Sequence, residues 1–88
     1  MAKKRERLEV IYDILATIRD NHNHIKPTRL LHLSNLSPQM FKDYTEELLE
    51  KDFIIQDGER RTFSIAKKGF EFLEEYKVIQ DFIVNFGL

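Results

Sequence analysis

Residues 37–65 read SPQMFKDYTEELLEKDFIIQDGERRTFSI, and their hydrophobic period changes halfway along. Up to Lys51 the pattern is helical, with Phe41, Tyr44, Thr45, Leu48 and Leu49 recurring on one side. Ser37-Pro38 is a helix opening: serine accepts from the orphan N–H groups of the first turn, and proline suits a position whose own N–H would be unused. Beyond Lys51 the pattern shortens. Phe53-Ile54-Ile55 and Thr62-Phe63-Ser64-Ile65 are rich in β-branched and aromatic residues and read as two strands. Between them lies Gln56-Asp57-Gly58-Glu59-Arg60-Arg61, whose Asp57-Gly58 pair is a hairpin-turn signal because both residues tolerate the backbone angles of a tight turn. A helix over 37–51 therefore runs directly into a charged β-hairpin.

Upstream, Leu8, Ile11, Ile14, Leu15 and Ile18 form the apolar stripe of a first helix, expected over Arg5–Arg19. The polar run Asp20-Asn21-His22-Asn23-His24 ends it, with two asparagines able to cap or to take left-handed angles. Ile25 stands alone as a short bridge or strand. Lys26-Pro27-Thr28 opens a short helix through Leu33, with Leu30, Leu31 and Leu33 expected on its buried side, and Ser34-Asn35-Leu36 makes a tight connection. The order is helix, short helix, tight turn, helix, hairpin. That is a mainly α chain with a small β-hairpin, in the arrangement of a winged helix-turn-helix.

A last helix is expected from about Lys67 to Phe86. Phe72, Tyr76, Ile79, Ile83 and Phe86 are spaced as a heptad-like seam, with Phe70, Leu73 and Phe82 partly on another side. This apolar surface is larger than one small domain covers. Because each Å² removed from water is worth roughly 25 cal/mol, a second copy of the same helix is the expected cover, giving a two-fold homodimer. The alternative is complete burial within the monomer. Residues 1–68 then form the winged helix-turn-helix and 69–88 a C-terminal helix continuous with it.

The chain has 88 residues, room for one core. It has no cysteine, so disulfides and thiolate metal sites are excluded. The start, Met1-Ala2-Lys3-Lys4-Arg5, lacks the apolar run of a signal peptide, and no stretch approaches membrane-spanning length; the expectation is a soluble cytoplasmic protein. His22, His24 and His32 lack further ligands at metal spacing, and no phosphate loop, nucleophile elbow or carboxylate pair appears. No enzyme activity, cofactor, metal or small-molecule substrate is expected.

The net charge of −1 is distributed unevenly: residues 1–30 carry seven basic and four acidic groups, 31–58 two and six, 59–68 four and one, and 69–88 one and four. A local basic face binds phosphate whatever the total charge. In a helix-turn-helix the second helix enters the major groove, which makes Gln39, Met40 and Lys42 candidate contacts: Gln39 to a base or phosphate, Met40 to a thymine methyl, Lys42 to phosphate. Arg60 and Arg61 follow the turn, and since successive strand residues face opposite ways, one of the two is expected to reach the DNA backbone. Lys26 and Arg29 open the short helix that crosses the backbone. Lys3, Lys4, Arg5 and Arg7 are candidates for a basic arm, and Lys67 and Lys68 for further phosphate contacts. Against these stand Glu46, Glu47 and Glu50 on the reading helix, which repel phosphate unless they are held back from it. Each basic group also has the plainer reading of solvated surface.

Thr28-Arg29-Leu30-Leu31 through Asn35-Leu36-Ser37, Tyr44 through Ile54, Ile65 through Gly69, Phe72-Leu73-Glu74-Glu75-Tyr76 and Ile79 through Leu88 together resemble archaeal winged helix-turn-helix DNA-binding proteins, the Sulfolobus Sso10a group and the ArnR1-like winged-helix domain. The resemblance implies a winged helix followed by a C-terminal dimerisation helix, with DNA binding in chromatin-like or regulatory roles. Asp52 stands where the group has a helix-closing glycine, and Ala66 where it has a threonine ahead of the last helix; alanine cannot cap. Three functions fit these features: a dimeric DNA-binding transcriptional regulator, a low-specificity architectural DNA binder, and a protein-interaction module that binds no nucleic acid. With no separate ligand domain, any effector is expected at the dimer interface or in the core.

Overall fold

A computed structural model describes residues 6–88. The elements are α1 (Arg7–Asp20), α2 (Pro27–Ser34), α3 (Pro38–Glu50), β1 (Ile54–Gln56), β2 (Phe63–Ile65) and α4 (Lys67–Asn85). The fold is mainly helical with a small antiparallel hairpin and a C-terminal helix, as the sequence indicates.

The middle of α1 is the centre of the core. Val10, Ile11, Ile14, Leu15 and Ile18 are buried there. They meet Leu30 of α2, Phe41 and Leu48 of α3, Ile54 of β1, Phe63 and Ile65 of β2, and Leu73 of α4. Helix α1 packs against α2, α4 and β2 together. Leu8, expected in the same stripe, is 47% exposed, and Val10 occupies the core in its place. The buried face of α2 also differs from expectation. Leu33 is 43% exposed and Leu31 only half-buried, while Leu30 and Ser34, one turn apart, point inward. Ser34 is compatible with burial because its hydroxyl donates to the Leu31 carbonyl at 2.9 Å.

Left-handed residues end the elements. Asn35, at φ 57°, stops α2. Asp52, at φ 61°, closes α3 by the motif usual for glycine: the Asp52 N–H donates to the Leu49 carbonyl and the Phe53 N–H to that of Leu48. Aspartate therefore takes the conformation itself, and the chain enters β1 at once.

The pairing of β1 with β2 places Ile54 opposite Ile65 and Gln56 opposite Phe63. Ile25 adds an antiparallel bridge on the other side of Phe63, with N–H···O distances of 3.1 and 2.8 Å. The Asn23 side chain extends this seam by accepting from the Ile65 N–H at 2.8 Å. The hairpin is thus stitched to the segment between α1 and α2. This constrains where α2 begins.

Helix α4 starts without a side-chain cap at Ala66, as alanine dictates. Its first turn lies against the hairpin so closely that Gly69 has no room for a side chain: a Cβ there would collide with the Phe53 carbonyl oxygen and lie 2.7 Å from the Ile65 Cγ2. The same Phe53 carbonyl accepts from the Ala66 N–H at 3.0 Å, so it cannot withdraw without breaking that bond. Gly69→Ala is expected to destabilise the domain by about 1–3 kcal/mol through overpacking, despite alanine's better helix propensity. Urea titration followed by far-UV circular dichroism checks this, and an unchanged midpoint contradicts the close approach.

Candidate nucleic-acid interface

Two helices and a turn set up the site. Helix α3 turns Phe41, Thr45 and Leu48 into the core, with Tyr44 and Leu49 half-buried beside them. Thr45 is buried because its hydroxyl donates back to the Phe41 carbonyl at 2.9 Å. The opposite side is open. Ser37 caps the helix, its Oγ accepting from the Met40 N–H at 3.2 Å. Gln39, Met40, Lys42 and Asp43 are exposed, and Met40 keeps 44% of its surface in water although nothing polar holds it there. The candidates Gln39, Met40 and Lys42 thus share the solvent side of the first two turns. Two of them make contacts along their own helix: Gln39 Nε2 donates to Asp43 Oδ1 at 2.9 Å, and Lys42 Nζ lies 4.0 Å from Glu46.

The acidic residues of α3 are partly neutralised. Glu47 is gripped by Arg7 of α1 and by Lys51, the latter at 2.6 Å. The Arg7 guanidinium also lies 5.9 Å from the centre of the Tyr44 ring. Hydrogen bonds from Arg7 and then Lys51 hold the Glu47 carboxyl well below the ordinary carboxylate range, at about 2. Arg7 is therefore a tie between α1 and α3 rather than a member of a basic arm. The long-range pairing cannot be seen in a local sequence pattern, because its partners are forty positions apart. Lys3, Lys4 and Arg5 lie outside the described residues.

The hairpin connection is six residues long, as expected but one position later, and its turn conformation is not the one Asp57-Gly58 led us to expect. Six residues, 57–62, connect the strands. Asp57 Oδ1 accepts from the N–H groups of Glu59 at 2.8 Å and Arg60 at 2.9 Å, and the Arg61 N–H donates to the Asp57 carbonyl at 2.8 Å. Asp57 thus caps a single helical turn, which lowers the pKa of its carboxyl. The exit from this turn requires a left-handed residue, and Arg61 supplies it at φ 57°. Gly58 is not in the left-handed region. Strand alternation does not sort the arginines either, because both precede β2; Arg60 and Arg61 are both exposed on the loop.

Lys26 is the residue preceding α2, exposed, and Arg29 is exposed on its first turn, its Nε 3.5 Å from Asn21 Oδ1. Lys67 and Lys68 are exposed at the start of α4, with the Lys68 ammonium 5.4 Å from the centre of the Phe53 ring. The candidate cations are therefore carried by separate elements: α2, α3, the hairpin loop and the start of α4. Among the described residues no cluster of three or more histidine, aspartate or glutamate side chains is placed to hold a metal ion, and no helix is long and apolar enough to cross a membrane.

The seam on α4 divides in two. Phe72 and Tyr76 pack on their own domain: Phe72 lies 5.8 Å from Phe53, Tyr76 5.1 Å from Tyr12, and the two rings 5.7 Å from each other. Ile79, Ile83 and Phe86 are exposed, as are Val78, Phe82 and Val84.

The model of the winged helix-turn-helix family matches residues 4–83. An uncharacterized protein of Methanocaldococcus jannaschii is 27% identical over 77 residues, which cover 86% of this chain and 34% of the relative. The chain spans about a third of the length of that protein.

The tie between α1 and α3 has a pH signature. A carboxyl depressed in the folded state stabilises the fold above its unfolded pKa, and that contribution disappears as pH falls through the folded one. Glu47→Gln is therefore expected to melt below the wild type at pH 7, with the gap closing between about pH 4.5 and 2. Thermal melts of both proteins across that range read it directly, and a gap that does not change with pH contradicts the pairing.

Proposed function

Since the chain belongs to the winged helix-turn-helix family, whose architecture suits DNA binding, we propose that it is a dimeric DNA-binding transcriptional regulator or the DNA-binding part of one. The first turns of α3 enter the major groove and the loop 57–62 lies on the sugar-phosphate backbone. One observation carries the reading: α3 leaves Gln39, Met40 and Lys42 in solvent on a helix whose other side is locked into the core. An exposed methionine at the start of such a helix suits the methyl group of thymine, and glutamine suits the edge of adenine. Arg60 and Arg61 contact phosphates, joined by Lys26 and Arg29 from the helix that crosses the backbone. The capture of Glu47 by Arg7 and Lys51 removes one source of repulsion from the reading helix. The likeness to an archaeal protein supports an archaeal setting for this role, and a cytoplasmic, nucleoid-associated location belongs to the same reading.

A second reading, a low-specificity architectural binder, is favoured by the Gln39–Asp43 and Lys42–Glu46 contacts, which engage the reading side chains along their own helix. The two readings differ in sequence discrimination and share the salt dependence of phosphate binding.

Dimerisation is assigned to α4. The last buried side chain of that helix is Leu73, yet it continues for about three further turns carrying Ile79, Ile83 and Phe86 in water. A two-fold pairing of these segments covers the apolar surface and presents two reading helices to adjacent half-sites.

Fluorescence anisotropy with labelled duplex DNA tests the DNA reading. The wild type is expected to bind with a steep salt dependence. In Arg60→Ala/Arg61→Ala the log–log slope is expected to flatten by about one for each phosphate that an arginine no longer neutralises. Absence of binding at low salt overturns the proposal, and equal affinity for unrelated duplexes selects the architectural reading. Sedimentation velocity tests the dimer: Ile79→Glu/Ile83→Glu is expected to convert a species of twice the chain mass to monomer with unchanged helicity. A wild type that is already monomeric refutes it.

A further inference from the structure

The pair Asp57-Gly58 stands at the entrance of the hairpin loop, where Asp57 caps the single helical turn. Among the aspartates and asparagines of the chain, only Asp57 precedes a glycine. Such a pair can close on itself: with no Cβ to shield it, the amide nitrogen of the glycine can reach the carboxyl carbon of the aspartate before it. Both residues are exposed, and nothing lies within 4 Å of where a Cβ on Gly58 would stand. We propose that Asp57-Gly58 is a self-modification site, which isomerises to isoaspartate through a succinimide when the cap on the loop's helical turn opens.

The step balances with water alone. The Gly58 nitrogen bonds to Asp57 Cγ, and the carboxyl OH leaves with the amide proton as water. Water then adds to the ring. Opening at the former Cγ restores aspartate. Opening at the main-chain carbonyl of Asp57 leaves the chain running through Cβ and Cγ, with the old main-chain carbonyl now a free carboxylate. Nothing is oxidised or reduced, and the side group keeps its negative charge.

The fold holds this step back in two ways. Asp57 Oδ1 accepts from the N–H groups of Glu59 at 2.8 Å and Arg60 at 2.9 Å, and the Asp57 carbonyl accepts from the Arg61 N–H at 2.8 Å. The carboxyl and the backbone beside Gly58 are thus tied into one turn. The carboxyl must also be protonated before its OH can leave, and the N–H groups of Arg60 and Glu59 keep its pKa down. The cap must therefore open before the ring can close. Once isoaspartate has formed, the main chain is one carbon longer and the carboxylate stands on a different atom, so the cap cannot re-form. The left-handed angle at Arg61 then loses the turn that requires it, and Arg60 and Arg61 leave their fixed presentation. The strands stay, because Phe63 is bridged to Ile25 and the Ile65 N–H donates to Asn23. None of this depends on what the loop touches, so it stands apart from the DNA-binding reading.

The whole chain is incubated for weeks near neutral pH in water enriched in heavy oxygen. Each ring opening then appears as a gain in mass, and peptide mapping with isoaspartyl methyltransferase labelling locates it. Conversion is expected at Asp57, and about tenfold more slowly in the folded chain than in guanidinium chloride, the factor that one helix cap contributes to local opening. Glu59→Pro removes one of the two donors, keeps Asp57-Gly58, and is expected to speed the folded reaction about threefold. Gly58→Ala fits the loop, since Gly58 is outside the left-handed region and has open space around it. It is expected to slow the reaction at least about tenfold in the folded and the unfolded chain alike, because a Cβ now shields the attacking nitrogen, with melting unchanged. Equal rates in the folded and unfolded wild type overturn the proposal. So does conversion centred on another residue, or a folded Glu59→Pro chain that reacts no faster. If the proline variant does not fold, the comparison of folded with unfolded wild type still decides. Every readout is made without DNA, so a failure here leaves the DNA-binding proposal untouched, and a protein that binds no DNA can still pass.

Discussion

Ile14, Leu15 and Ile18 are fully buried, and α2, β2 and α4 are placed by covering the helix that carries them. Helix α1 is clad on several sides at once, because α2, α4 and β2 all pack on it. In a domain of this size there is no second apolar cluster to compensate for a poor fit. Leu30 enters this core from α2, and Phe41 and Leu48 enter it from α3, which lies against α2 and β1, so the turn at Asn35 only has to connect the two helices. The tie from Arg7 to Glu47 adds an electrostatic link between α1 and α3 at the rim of the core.

The hairpin is fastened by three separate means. Ile25 pairs with Phe63, Asn23 accepts from the Ile65 N–H, and the absent side chain of Gly69 lets α4 lie on the Phe53 carbonyl. A two-stranded hairpin alone is marginal in water. These contacts make it part of the core, which gives the loop 57–62 a rigid base. The loop is itself internally ordered through Asp57, so its arginines are presented on a defined turn instead of on a fraying tip.

Much of this was legible in the sequence where the signals are local. Ser37-Pro38 opened α3 because capping and proline geometry act within one turn, and the shift from helical to strand period located the hairpin to within a residue. The departures arise where a local rule met a longer-range one. Asp57-Gly58 marked the hairpin turn because both residues tolerate its backbone angles, but the Asp57 carboxylate found two N–H donors further along, built a helical turn, and placed the left-handed angle at Arg61. Leu33 read as core because α2 is too short for its periodicity to tell one face from its neighbour; burial of the smaller Ser34 became possible once its hydroxyl had the Leu31 carbonyl. Of the candidate site, the exposure of Gln39, Met40 and Lys42 followed from the α3 stripe, whereas the removal of Arg7 from the set of candidate phosphate contacts depends on a partner forty residues away.

The aromatic side chains of α4 explain why one helix can serve two purposes. Phe53, Phe72, Tyr76 and Tyr12 form a continuous row of ring contacts that runs from the start of the hairpin to α1. This row fixes the first half of α4 to the domain, and Gly69 and Leu73 complete the attachment. Past Tyr76 the helix buries no further side chain, so its remaining apolar residues are oriented rigidly but left uncovered. A flexible tail with the same composition would collapse onto the nearest apolar surface. A helix clamped at its base cannot do so, and the side chains it holds out are available to an external surface.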